Sequence, residues 1–178
     1  MKKPLSNEYP PVRYFANYVE QIGDEEVVDL LARQAEILKK IYGSLSDEAA
    51  LYRYAPGKWS FKELLGHLTD SERIFAYRAL CIARGEAQSL PGFDENAYVA
   101  NAAFDAQPLA SLWEQYETTR AATLALARSL PETAQHRQGV ENGHSVSARA
   151  LFAIIAGHEK HHLAILEEKY QLPLVRSL

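Results

Sequence analysis

Gly157-His158-Glu159-Lys160-His161-His162 is the stretch on which the reading of this chain turns. His158 and His162 stand four residues apart, which on an α-helix places both imidazoles on one face, about 40° apart around the axis. The surrounding sequence supports that helix. Ser145 or Ser147 can cap its start, and it runs to about Tyr170, ahead of Pro173. At 100° per residue, Leu151, Ile154, Ile155 and Ile165 fall within about 60° either side of His158, and His162 lies inside that apolar sector. His161 sits on its edge. Two imidazoles therefore aim into a core, where they lose hydration unless something partners them.

Three more helical patterns complete the frame. The first opens at Asp24, with Asp24 as the expected N-cap and Glu25 and Glu26 at the positive end of the helix dipole. Val27, Leu30, Leu31, Ile37, Leu38 and Ile41 recur at helical spacing up to Gly43. The second has a capping box, Ser60 with Glu63, and carries Leu64, Leu68, Ile74, Phe75 and Ile82 to a stop at Arg84-Gly85. A third histidine, His67, lies on this second stripe. The third long helix starts near Gln107-Pro108 and carries Leu109, Leu112, Trp113, Tyr116, Leu124 and Leu130, stopping before Pro131. Residues 131–146 are polar, contain Asn142-Gly143 and read as loop, and strand signals are nearly absent.

The expected fold is all-α: a four-helix bundle with a long crossover, residues 85–107, between the second and third helices. A short helix is expected near Glu95–Asn101. The chain reads as one domain spanning 1–178, with residues 1–22 as an N-terminal arm whose Tyr9, Tyr14 and Tyr18 pack on the body.

The chain has 178 residues, 24% of them charged, and a net charge of −4. No broad basic field is implied, which argues against nucleic acid as a partner. No apolar run approaches the roughly 18 residues of a membrane span, and none follows Lys2-Lys3 as a signal peptide requires. The single cysteine, Cys81, excludes an internal disulfide and fits a cytoplasmic location. Cys81 lies 14 residues beyond His67 in the same helix, about 21 Å away, too far to share a ligand.

If the second and fourth helices run antiparallel, His67, His158 and His162 lie at one level. Neutral imidazoles bind zinc, nickel, copper or iron(II), and three protein ligands leave a position open for water or substrate. The alternative is that each histidine is separately hydrogen-bonded in the core or exposed. The same stretch also fits H-E-x-x-H, in which Glu159 would activate water in a zinc peptidase. Against this, no third ligand follows: the last 16 residues contain no histidine, and Glu167 and Glu168 are too close in sequence to fold back.

Gly57-Lys58-Trp59-Ser60-Phe61-Lys62-Glu63 leads into Gly66-His67-Leu68-Thr69-Asp70-Ser71-Glu72-Arg73. Tyr77-Arg78-Ala79-Leu80, Ala83-Arg84-Gly85-Glu86, Pro91-Gly92-Phe93-Asp94-Glu95-Asn96 and the closing Gly157-His158 with His162 follow in order. In this combination the chain, over about residues 24–170, resembles the DinB/YfiT-like superfamily. The resemblance implies a four-helix bundle with a crossover, often dimeric. It also implies a metal, nickel or zinc, held by His67, His158 and His162. Relatives include transferases that use a low-molecular-weight thiol such as bacillithiol, and mycothiol-dependent isomerases; others are assigned as hydrolases from structure alone. A metal-dependent enzyme acting on a small molecule, by thiol transfer or hydrolysis, is therefore expected, with a non-enzymatic metal-binding or stress-related bundle as the alternative. Nothing in the family name implies DNA chemistry.

Catalytic residues are not assigned. Asp94 and Glu95 could serve at the mouth of the site, although Asp94 also suits a helix cap, and Glu159 enters only through the peptidase motif. Asp70 and Glu72 could hold a histidine N–H, with a surface salt bridge as the default. Arg73 and Arg78 could recognise an anionic substrate, with a surface or interface ion pair as the default; Gln34 reads as a satisfied core residue, and Trp59 and Trp113 as core. His136 and His144 read as solvated.

Overall fold

A computed structural model describes residues 1–170, the side chains of Arg13 and Tyr14 excepted. The expected packing of Tyr14 and the helix stop at Pro173 lie outside the described residues.

Four long helices form the body: α2 (Val27–Gly43), α3 (Phe61–Arg84), α5 (Leu109–Ser129) and α7 (Ala148–Glu168). They are joined by α1 (Arg13–Gln21), α4 (Glu95–Ala102), the single turn α6 (Glu132–Gln135) and a hairpin, β1 (Gln138–Glu141) with β2 (His144–Ser147). Both α3 and α2 pack against α5 and α7, so α2 and α3 are set diagonally.

The local chemistry explains the boundaries. The capping box opens α3: Ser60 Oγ accepts from Glu63 N at 3.0 Å and Glu63 Oε2 accepts from Ser60 N at 2.8 Å. Gly85, at φ 92°, closes it in the left-handed conformation that glycine adopts freely. Ser147, rather than Ser145, caps α7. Helix α2 departs from expectation: it starts at Val27, and Asp24 does not cap it. The Val27 N–H instead donates to the Met1 carbonyl at 2.9 Å, so the chain start supplies the missing acceptor.

Helix directions follow from contacts at the ends. Tyr170, just past α7, donates to the Trp59 carbonyl beside the start of α3, so α3 and α7 are antiparallel. Lys62 Nζ donates to the Gln107 carbonyl and Ser60 Oγ to Asp105 Oδ1, so α5 starts where α3 starts and the two run parallel. The connection 85–108 thus carries the chain back along the bundle.

Residues 131–146, expected as loop, hold α6 and the hairpin. Asn142 (φ 48°) and Gly143 (φ 78°) form its two-residue turn, with Glu141 paired to His144. The strands are too short and polar to announce themselves; Leu90 of the crossover bridges to Glu141 at their edge.

Helix α7 is central. Every residue from Ala148 to Glu159 is buried, which requires cover on all faces. Helix α1 supplies part of it, approaching so closely that a Cβ on Gly157 would lie 2.0 Å from the Tyr18 carbonyl oxygen. Two apolar cores result. One joins Leu31, Phe75, Ala127, Ala148 and Ala150–Ala156; the other joins Leu38, Leu68, Leu112, Tyr116, Leu163 and Leu166. Between them runs a buried polar layer: Gln34, Glu72, Arg120, His158 and Glu159. Gln34, expected as a satisfied core residue, is only half so: its Nε2 donates to the Ala156 carbonyl at 2.8 Å, while its Oε1 is buried without a hydrogen-bond partner.

Candidate metal centre

His67 from α3 and His158 and His162 from α7 meet at this layer. The His67 and His158 Nε2 atoms are 2.9 Å apart, and those of His158 and His162 are 3.0 Å apart. All three residues are buried, at 4–7% exposure. The antiparallel pairing of α3 and α7 sets the common level, and the four-residue spacing in α7 brings its two rings together. His161 is half-buried and turned to the Tyr18 ring.

The cluster cannot satisfy itself. A neutral imidazole nitrogen carries either one hydrogen or one lone pair. His158 Nε2 faces two other Nε2 atoms, so it can complete a hydrogen bond with only one of them. His162 Nδ1 is also buried without a hydrogen-bond partner. Protonation offers no escape. Burial, with repulsion from His161, pushes His67 down to about 4. Burial first, and then the neighbouring imidazoles, hold His158 and His162 well below their ordinary value. Three neutral nitrogens aimed at one another are the ligand form of histidine. Nitrogens 2.0–2.1 Å from one tetrahedral ion lie about 3.3 Å apart, close to the spacing seen here.

A cavity of about 240 Å³ reaches the cluster at His162, between Tyr54, Lys58, Trp59, Asn96, Ile165 and Tyr170. Trp59 and Trp113, both expected in the core, are half-buried, and Trp59 lies 4.5 Å, centroid to centroid, from the His67 ring.

The carboxylates singled out from the sequence lie elsewhere. Asp94 is exposed and caps α4, accepting from Asn96 N and Ala97 N. Glu95 lines a different cavity, with Arg78, Glu141 and His144. Glu159 is 2% exposed and accepts from Arg120 Nη2 at 2.6 Å and from the Tyr116 hydroxyl at 2.9 Å.

Glu72 and Arg78, expected at the surface, are buried at 2% and 3%. Glu72 pairs with Arg120, while Arg78 pairs with Glu141 and donates to the Pro91 carbonyl. Asp70 does meet Arg73 in a partly exposed pair. His136 Nδ1 lies 3.4 Å from Glu8 Oε1, and His144 is half-buried against the Phe15 ring. Arg120 went unnoticed in the sequence, although it follows Tyr116 by four residues and Leu112 by eight, on the buried stripe of α5.

The description of the DinB superfamily matches residues 30–166. A protein of Oceanobacillus iheyensis named putative metal-dependent hydrolase OB0413 is 26% identical over 129 residues, 71% of this chain and 73% of that protein. Among solved structures, YfiT from Bacillus subtilis, described as a probable metal-dependent hydrolase with an unusual four-helix bundle topology, superimposes with a TM-score of 0.72. It is 18% identical, covering 89% of this chain and 90% of YfiT, and at that identity the likeness carries the fold alone. A match over most of its length, with a three-histidine cluster at its centre, places the chain in the DinB superfamily.

Proposed function

We propose that this chain is a metal-dependent enzyme that acts on a small molecule, by hydrolysis or by transfer involving a low-molecular-weight thiol. The observation that carries the reading is the convergence of three buried, neutral imidazoles beside a cavity of about 240 Å³. His67, His158 and His162 would hold a divalent ion, with nickel and zinc as the candidates. When bound, such an ion supplies a Lewis acid that lowers the pKa of a coordinated water or thiol.

The chain's own residues shape what can approach. Tyr54, Trp59, Ile165 and Tyr170 make an apolar wall that sheds water from a bound compound. Lys58, exposed at the rim, offers a positive charge to an anionic group, and Asn96 offers an amide. No carboxylate lines this cavity among the described residues. A peptidase role for Glu159 is disfavoured because Arg120 and Tyr116 occupy its oxygens. No helix among the described residues is long and apolar enough to cross a membrane.

Metal analysis of protein purified without added metal tests the reading. About one divalent ion per chain is expected, lost in His67→Ala and His158→Ala, with metal-dependent turnover of small esters, amides or electrophiles plus thiol. Absence of bound metal overturns the proposal. Bound metal whose cobalt-substituted spectrum no thiol perturbs favours hydrolysis or a binding role over transfer.

A further inference from the structure

Glu159 lies in the buried part of α7, next to His158 and away from the cavity. Its partner Arg120 is 2% exposed and engages all five guanidinium hydrogens. Nε donates to Glu72 Oε1 at 2.9 Å, and Nη2 donates to Glu72 Oε2 at 2.7 Å and to Glu159 Oε2 at 2.6 Å. Nη1 donates to the Leu31 carbonyl at 2.6 Å and to Glu159 Oε1 at 3.3 Å. One side chain of α5 thus grips α2, α3 and α7.

The grip falls within about one and a half helical turns of the histidines. Glu159 directly follows His158, and Glu72 lies five residues past His67, about 7.5 Å along the axis. Helix α5 contributes no imidazole of its own, yet its planar fork spans the two helices that do. A rigid fork with both arms occupied fixes a separation more narrowly than apolar packing does. Stability alone does not account for it. Apolar replacement of a buried ion triad is often neutral or stabilising.

We propose that Arg120, through Glu72 and Glu159, is a positioning residue that sets the spacing of α3 and α7 so that His67 meets His158 and His162 before an ion arrives. This rests on the metal reading of those histidines.

The decisive variant replaces the triad by apolar residues of similar length, Arg120→Met with Glu72→Met and Glu159→Met. It is expected to fold and to melt no lower than wild type. Its zinc affinity, measured by competition with a chromophoric chelator, is expected to fall about ten- to a hundredfold, the usual cost of losing groups that orient a ligand. The visible bands of the cobalt(II) form are expected to shift. Wild-type affinity and spectrum in this variant overturn the inference, because they leave the triad a purely structural role. Should the triple variant fail to fold, Arg120→Lys, which keeps the charge and loses the fork, decides by the same two readouts. Arg149→Met with Glu8→Met removes the remote buried pair on α7 and is expected to leave both unchanged. Wild-type protein that takes up neither zinc nor cobalt overturns the metal reading and this inference with it. Uptake that is equal in wild type and triad variants overturns this inference alone.

Discussion

Two buried polar clusters share one stretch of α7 and differ in a single respect. The cluster around Arg120 is complete: each guanidinium hydrogen has an acceptor, and Glu159 is met by Arg120 and Tyr116. The cluster around His158 is incomplete, with one Nε2 facing two others and His162 Nδ1 lacking a partner. Consecutive residues, His158 and Glu159, belong to the two kinds. A buried polar group that is fully answered by its own chain serves the architecture. A set that cannot be answered from within is built for something from outside.

Breaking the complete cluster should cost most. Arg120→Ala leaves two carboxylates buried without their cation and is expected to destabilise the fold by about 3–5 kcal/mol. At roughly 2–4 °C per kcal/mol for a chain of this size, thermal unfolding should come about 6–20 °C lower. The incomplete cluster should show itself through pH. An unfolded histidine takes up its proton near pH 6.5, whereas His67 in the folded chain resists it to about 4. The metal-free protein should therefore lose stability as pH falls from 6.5 toward 4, by about 3 kcal/mol from His67, whose own contribution levels off below that, while His158 and His162 add to the loss. Denaturant melts across that range check this, and His67→Leu should make the curve shallower.

Zinc sharpens the contrast further. At a hundred times its dissociation constant it should stabilise the wild type by about 2.7 kcal/mol, and His158→Ala should abolish that shift. The smallest effect is expected at Asp94. Asp94→Ala removes an exposed cap and should cost about 1 kcal/mol in thermal melts, with metal stoichiometry unchanged.

The helices and the histidines were legible in the sequence because both depend on local periodicity. A capping box, Gly85 after α3 and the i, i+4 spacing of His158 and His162 are written within a few residues of each other. Pairings across the fold were not. Glu72, Arg78 and Arg120 are charged residues whose burial depends on partners 39–63 positions away or more, which no window of sequence contains. The hairpin lay between these cases. Asn142-Gly143 is a strong turn signal, but four-residue strands holding Gln138, Glu141, His144 and Ser145 do not look like strands. The start of α2 was misplaced because its acceptor comes from Met1, not from a side chain beside it.

Trp59 rests on the His67 ring, whereas the chain's other tryptophan, Trp113, packs on the rings of Tyr42 and Tyr116. The molecule thus carries its own optical gauge at the doorway and a second one, outside the cavity, as internal reference. Loading the histidines with a quenching ion such as copper or nickel should dim Trp59 emission and spare that of Trp113. Occupancy could then be followed in real time, without a substrate and without a label.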